Sequence, residues 1–303
     1  MMISVIINCY NGEEFLRETI DSILESSYAN FELIYYDNAS IDSSLAIVKS
    51  FEDDRIRIYT RQNNISLGAA RSEALIKASG DLITYIDSDD IIDQYTLEFY
   101  VKEYEKAPFA LLYGGIYRID EHSRVIGQYS PRSRDICTVD EILKNFDVNV
   151  PSLCINKSWL MGKEVCFDSK IQCCEEFDLV CNVLQKGGRI VSTSKLLSSY
   201  RYHGSSLTDK NLDIAALERR YILNKFNHGV VRNSRSYNIA FLKSYYYEAR
   251  HMMNKGSWVE AIHNMKKIRH ISIIYFFLWV IIKYMPRLWI FVHKVKKKTF
   301  LRL

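Results

Sequence analysis

Asp87-Ser88-Asp89-Asp90 sets three carboxylates within four residues, directly after the apolar, β-rich run Leu82-Ile83-Thr84-Tyr85-Ile86. A run of that length and composition reads as a buried strand. Carboxylates crowded at its end repel one another unless a cation lies between them. A hard divalent ion with oxygen ligands suits such a cluster, and Mg²⁺ or Mn²⁺ keeps room in its shell for phosphate oxygens. The carboxyl ends of strands are also where open α/β sheets bind ligands. The plainer alternative is a solvated acidic turn that caps the next helix, since Asp is a good N-cap.

The elements that must position this cluster are regular. Ser4–Cys9, Phe31–Tyr36 and Arg55–Thr60 read as strands, while Glu13–Glu25, Ser43–Phe51 and Leu67–Ala78 read as helices between them. Another helix is expected over Gln94–Lys106. Repeated βα units of this size predict a mainly parallel sheet flanked by helices. From Leu111 to about Ser206 the pattern is less regular, with strands at Leu111–Tyr117 and Arg124–Tyr129 and helices at Val139–Phe146 and Glu176–Gln185. After Asp209 it turns helical, and Lys255-Gly256-Ser257 separates Tyr237–Met253 from Trp258–Ile268 as in an αα-hairpin.

A chain of 303 residues with 48% hydrophobic and 25% charged residues is an ordinary globular composition with ample core. Its seven cysteines show no CxxC spacing, which argues against a zinc ribbon or disulfide framework and fits a reducing cytosol. The opening Met1-Met2-Ile3-Ser4-Val5-Ile6-Ile7 reads as a first strand rather than a signal peptide.

A net charge of +4 conceals an asymmetry, because the chain from Ala261 onward holds ten Lys or Arg and no Asp or Glu. On charge alone the tail suits nucleic acid or anionic lipid. Its apolar run Ile271–Ile282 is too short to span a bilayer, which takes about 20 residues. Trp279 and Trp289 beside Lys294, Lys296, Lys297 and Lys298 favour an interfacial helix on an anionic membrane surface, with no nucleic-acid partner. The alternative is a terminal helix buried against the rest of the protein.

Four ordered segments stand out: Ser4-Val5-Ile6-Ile7-Asn8-Cys9-Tyr10-Asn11, Phe31 to Asp42, Asn64 to Arg71, and Asp87-Ser88-Asp89-Asp90. Together they resemble the family 2 glycosyltransferases, inverting enzymes of the GT-A fold that use nucleotide-sugars. The resemblance covers residues 3 to about 205 and implies a GT-A catalytic domain over 1–208. Within it, 1–110 would bind the nucleotide-sugar and 111–208 would face the acceptor, followed by a helical C-terminal region over 209–303.

By that resemblance, Asp37 and Asn38 hold the uracil or ribose edge, with Asn8, Tyr10 and Glu13 bordering the same pocket. Asn38 stands where the family often has Asp, and an amide offers a pyrimidine both a donor and an acceptor. Asp89 binds Mn²⁺ or Mg²⁺, while Asp87 contacts ribose or a metal-bound water and Ser88 lies between them. Arg71 complements the phosphates or, alternatively, braces the acidic loop in a salt bridge.

Cys173-Cys174-Glu175-Glu176-Phe177-Asp178-Leu179 occupies the place of the family's catalytic acidic pair. Glu176 is the expected general base, with Glu175 as the alternative because the family usually has Asp where Glu176 stands. Tyr200-Arg201-Tyr202-His203-Gly204-Ser205-Ser206 resembles the family's Tyr-Arg-Xaa-His-Xaa-Xaa-Ser segment, which brings His203 to the metal or diphosphate with Arg201 in support.

The function implied is transfer of a hexose from a UDP-sugar to a glycan or polyprenyl-diphosphate-linked saccharide in surface polysaccharide synthesis. The expected location is the cytoplasmic, inner face of the cell membrane. The rival is a non-catalytic nucleotide-binding or membrane-scaffolding protein that keeps the fold.

Overall fold

The computed structural model describes residues 1–144, 146–203, 212–232, 234–286 and 288, and divides into two compact units. The first comprises Met1–Thr138 and Asp147–Arg201, and the second Val139–Phe146 and Tyr202–Leu303.

In the first unit, β1 (Ile3–Cys9), β2 (Phe31–Asp37), β3 (Ile56–Thr60) and β4 (Leu82–Tyr85) pair in parallel in the order β3-β2-β1-β4. Every residue of β2 and β4 is buried, which explains their near-continuous apolar reading. Helices α1 (Leu16–Leu24), α2 (Ser44–Lys49) and α3 (Leu67–Lys77) connect them as crossovers. Leu16, Ile20 and Ile23 of α1 join Val5, Ile7, Leu33 and Tyr35 in one core.

Helix α1 begins later than its apolar pattern suggests. The Glu13 carboxylate is used on the next crossover, where Oε2 accepts from the Ser43 N–H at 2.8 Å.

Beyond β4 the sheet becomes mixed. After β5 (Ile91–Ile92) and α4 (Thr96–Lys106) come β6 (Leu111–Ile119), β7 (Val125–Tyr129) and β8 (Arg134–Ile136). Strand β9 (Leu153–Asn156) runs antiparallel between β4 and β6 and so joins the two halves. Helices α6 (Lys157–Gly162) and α7 (Glu175–Gln185) precede β10 (Ile190–Arg201), which pairs in parallel with β6.

The second unit holds α5 (Val139–Lys144), α8 (Leu212–Lys225), α9 (Arg235–Asn254), α10 (Trp258–Ile268) and α11 (Ile273–Tyr284). Helix α5, expected in the acceptor-facing half, belongs here because Asp140 accepts from the Ser234 and Ser236 hydroxyls at 2.8 and 3.2 Å. Gly256, at φ +79, makes the turn between α9 and α10.

Tyr275, Leu278 and Ile282 bury one stripe of α11 against Tyr246, Ala249, Met253, Ala261, Met265 and Ile268. Ile273, Ile274, Phe276 and Phe277 remain exposed on the same helix. No helix among the described residues is long and apolar enough to cross a membrane. Trp289 and Lys294 to Lys298 lie outside the described residues.

Candidate active site

The carboxyl ends of β1, β2 and β4 lie side by side, and the loops that leave them carry the residues singled out from the sequence. Gly12 lets two of these loops touch: a methyl there would meet the Ser88 Oγ at 2.6 Å and the Cys9 Sγ at 2.9 Å. The Thr19 hydroxyl ties α1 to the same acidic loop by donating to the Ser88 carbonyl at 3.1 Å. After β2, Ala39 adopts φ +67, an unfavourable conformation for a residue with a Cβ. That turn is held by Asp37, whose carboxylate accepts from the Ser40 N–H at 3.2 Å and the Tyr35 hydroxyl at 3.3 Å.

Asn38 has a structural duty. Its Nδ2 donates to the Ile65 carbonyl at 2.9 Å, and its Oδ1 accepts from the Ile65 N–H at 3.1 Å. The amide therefore pins the segment before α3 onto the end of β2. Asn8 is different: both its amide atoms are buried and have no hydrogen-bond partner. Buried polar groups are normally satisfied, so an amide in this state at the end of a central strand points to a ligand or ordered water. The Tyr10 ring next to it is 53% exposed, as a stacking surface must be.

Arg71 is the centre of the site. Its side chain is 2% exposed, yet its guanidinium meets two carboxylates from opposite sides. Nη2 donates to the Asp87 Oδ1 at 2.9 Å, and Nη1 to the Glu175 Oε1 at 2.5 Å. Tyr85 and Phe167 box it in, their rings edge to face at 5.3 Å and 5.5 and 6.0 Å from the guanidinium carbon. The start of α3 is locked to the chain before α7. Gly68 N–H donates to the Ile171 carbonyl at 3.2 Å, Ser66 Oγ to the Ser169 carbonyl at 2.6 Å, and Ser72 Oγ to the Phe167 carbonyl at 3.0 Å.

The site is short of positive charge. Arg71 interacts with Glu175, Asp87 and Glu176 together. Burial raises the Glu175 carboxyl to about 8, Arg71 opposes the rise, and Glu176 and Asp87 add to it. Burial likewise raises Asp87, against Arg71 and with the help of Asp89. Asp90 is pushed well up by burial and by the charges of Asp89 and Asp87.

Each of these folded pKa values lies above its unfolded value, so the fold binds extra protons between the two. Their contribution to stability is present below the unfolded pKa and is lost as pH rises through the folded one. The melting temperature of the protein alone should therefore fall between about pH 5 and 8. Glu175→Gln should flatten that slope in scanning fluorimetry, and an unchanged slope would refute the account.

A second buried arginine, whose connections the sequence did not reveal, holds the acidic loop from behind. Arg201, fully buried at the end of β10, donates its backbone N–H to the Asp90 Oδ1 at 2.8 Å and its Nε to the Asp89 carbonyl at 2.8 Å. Its Nη2 reaches the Glu18 Oε2 at 2.7 Å, and its Nη1 the Asp120 carbonyl and the Ser123 hydroxyl at 3.2 and 2.9 Å. Glu18 sits 183 positions away, and only the fold makes them partners.

The structure thus brings Arg71, Asp87, Glu175 and Glu176 into one neighbourhood, with Ser88, Asp89 and Asp90 on the adjoining loop. Glu175 is 3% exposed and ion-paired, whereas Glu176 is half-buried. His203 belongs to the second unit, and Gly204, Ser205 and Ser206 lie outside the described residues. No group of three His, Cys, Asp or Glu side chains arranged to hold a metal is present among the described residues.

Comparison with known proteins fits this architecture. The model of the family described as "Glycosyl transferase family 2" matches residues 4–160. The β-1,3-glucosyltransferase WfgD of Escherichia coli, named for UDP-Glc and α-D-GlcNAc-diphosphoundecaprenol, is 28% identical over 208 residues, 68% of this chain and 79% of that protein. TuaG of Bacillus subtilis, a putative teichuronic acid biosynthesis glycosyltransferase, is 23% identical over 68% of this chain and 81% of its own length.

Among solved structures, S. aureus TarS residues 1–349 in complex with UDP-GlcNAc superposes with a TM-score of 0.64 at 17% identity, covering 89% of this chain and 81% of that one. The mannosyltransferase PcManGT of Pyrobaculum calidifontis, in complex with GDP-Man and Mn²⁺, has a TM-score of 0.58 at 15% identity, covering 87% and 74%. The shared architecture is the GT-A fold: a mixed sheet with flanking helices, followed here by further helices.

Proposed function

The chain belongs to glycosyl transferase family 2, and from that membership we propose that it transfers a hexose from a UDP-sugar, with inversion, to a polyprenyl-diphosphate-linked saccharide. The reaction serves surface polysaccharide assembly at the inner face of the cell membrane, where the protein binds peripherally. One observation carries the reading: the Arg71 guanidinium bridges Asp87 on the acidic loop and Glu175 beside Glu176. Asp87 on the acidic loop and Glu175, next to Glu176 on α7, thus share one buried cation. WfgD and the TarS complex support the choice of UDP-sugar, and WfgD the choice of acceptor.

The residues fit a divalent cation. Asp87 and Asp89 supply hard oxygen donors on one loop, and the Asp89 charge adds to the burial that raises the Asp87 carboxyl. Such a pair suits Mn²⁺ or Mg²⁺ held jointly with phosphate oxygens. When bound, the ion would neutralise the diphosphate and ease departure of UDP. The protein's own groups do the rest. Tyr10 stacks on the base, Asn8 and Asp37 address the nucleoside, and Asn38 and Glu13 keep their loops in position. Ser88 lines the diphosphate side. Arg71 holds Asp87 in place while adding positive charge near the phosphates.

Glu176, in the first turn of α7, takes the proton from the acceptor hydroxyl. The oxygen attacks the anomeric carbon from the face opposite UDP, the new C–O bond forms as the bond to the diphosphate breaks, and UDP leaves with that electron pair. The helix N-terminus favours a carboxylate at this position. Glu175 is committed to Arg71 and does not share this role.

The test is a donor screen with purified protein, Mn²⁺ and UDP-glucose, UDP-galactose or their N-acetyl forms, scoring UDP release with and without acceptor. One donor should be turned over, and Asp89→Ala should abolish the metal-dependent rate. No turnover of any nucleotide-sugar by the wild-type protein would favour a non-catalytic binder.

A further inference from the structure

One face of α1 is turned to the acidic loop. Phe15, at the N-cap, falls with Glu18, Thr19 and Ser22 at i, i+3, i+4 and i+7, a single stripe along the helix. Each meets the loop, the strand that follows it, or the arginine that holds it. The Thr19 hydroxyl donates to the Ser88 carbonyl at 3.1 Å, and the Ser22 Oγ accepts from the Ile92 N–H at 3.3 Å. Glu18 and Phe15 act on Arg201. Its Nη2 donates to the Glu18 Oε2 at 2.7 Å, and its guanidinium carbon lies 4.5 Å from the centre of the Phe15 ring. The Arg201 Nε in turn donates to the Asp89 carbonyl at 2.8 Å.

These contacts converge on one residue. The Ser88 and Asp89 carbonyls belong to the two peptide groups that flank the Asp89 Cα. Peptide groups are rigid planes, so pinning both fixes the main-chain angles of Asp89. Helix α1 does this twice, directly from Thr19 and through Arg201 from Glu18. The Glu18 carboxylate is itself held, because its Oε1 accepts from the Ser123 hydroxyl, which also accepts from the Arg201 Nη1 at 2.9 Å. Glu18, Arg201 and Ser123 thus close a ring. Ser123 keeps φ +60 there, a conformation that a residue with a Cβ holds only where its surroundings fix it.

We propose that Glu18 and Thr19 are positioning residues for a divalent cation: by fixing the Asp89 main chain they aim its carboxylate at the ion. The inference rests on the reading of Asp89 as the metal ligand and extends it to two residues outside the acidic motif. Groups that orient a metal ligand from behind are worth about 10- to 100-fold in metal affinity.

The test is Mn²⁺ binding to the full chain in the presence of UDP, read from the electron paramagnetic resonance signal of free Mn²⁺. UDP affinity in EDTA, by calorimetry, is measured beside it. Thr19→Val keeps the shape of a buried side chain and removes only the hydroxyl, and Glu18→Ala removes a half-exposed carboxylate. Each should weaken Mn²⁺ binding about tenfold while metal-free UDP affinity stays within about twofold. Thr19→Ser should restore the wild-type Mn²⁺ affinity. Arg55→Lys is the control for general destabilisation. That arginine pairs with Asp53 at 2.7 Å and lies 4.4 Å from the centre of the Phe31 ring, at the amino end of β3 and away from the site. It should lower the melting temperature and leave Mn²⁺ affinity unchanged.

Wild-type Mn²⁺ affinity in Thr19→Val would overturn the proposal whatever Glu18→Ala does, because that variant leaves every charge in place. So would Mn²⁺ affinity and metal-free UDP affinity falling together. A wild-type protein that binds UDP but no Mn²⁺ would defeat the metal reading of Asp89 itself, and this inference with it.

Discussion

Glu176→Gln is expected to lower the turnover rate by about three orders of magnitude while UDP-sugar affinity stays within twofold. General base catalysis contributes about 10² to 10⁴ in rate, and the amide keeps the size and hydrogen-bonding reach of the acid. The neighbouring Glu175 is the internal comparison. Its Oε1 is held at 2.5 Å by Arg71 and its side chain is inaccessible, so it has no path to an acceptor hydroxyl. Glu175→Gln should weaken activity far less than Glu176→Gln. Steady-state kinetics on both variants, with UDP affinity by calorimetry, decide the matter. The reverse ranking would transfer the role to Glu175.

Arg71→Ala should be the most destabilising single change in the site, costing about 3 to 5 kcal/mol. The substitution leaves Glu175 and Asp87 facing each other without their shared cation, and removing one member of a buried ion pair costs that much. It also empties the space beside the Tyr85 and Phe167 rings, which adds a cavity term. Combining Arg71→Met with Glu175→Gln should recover much of the loss, since the buried charge goes as well. Calorimetric melting of the three proteins at pH 9, above the Glu175 value of about 8, measures this, and equal melting temperatures for Arg71→Ala and the wild type would contradict the assigned geometry.

How far the fold can be read from the sequence depends on how each element is buried. Strands β1, β2 and β4 are covered on both faces, so their apolar runs stand out, and the acidic cluster at the end of β4 marks itself. Strand β10 does not stand out. Ser192, Thr193, Ser194, Lys195, Ser198 and Ser199 fill it, and its pairing with β6 shifts register between Ser192 and Ser198, which destroys any period-two pattern. Strand β9 spans only Leu153–Asn156, too short to separate from the turn before it.

The same limit applies to the site. Local motifs mark Asp87, Asp89 and Glu176 as chemically interesting. The contact of Arg71 with Glu175 joins positions 104 residues apart, and no local pattern records it. Asn38 matches a family position by type, yet its amide is occupied by Ile65, a use that only the loop geometry discloses.

The lock between α3 and the chain before α7 bears on enzyme engineering. A Cβ on Gly68 would come within 2.3 Å of the Asp168 carbonyl, so that junction tolerates no independent drift. Chimeras that borrow acceptor loops from a relative will succeed only if the graft carries residues 64–72 and 166–176 from the same parent. A crossover point between those stretches would pair two surfaces that never adapted to each other.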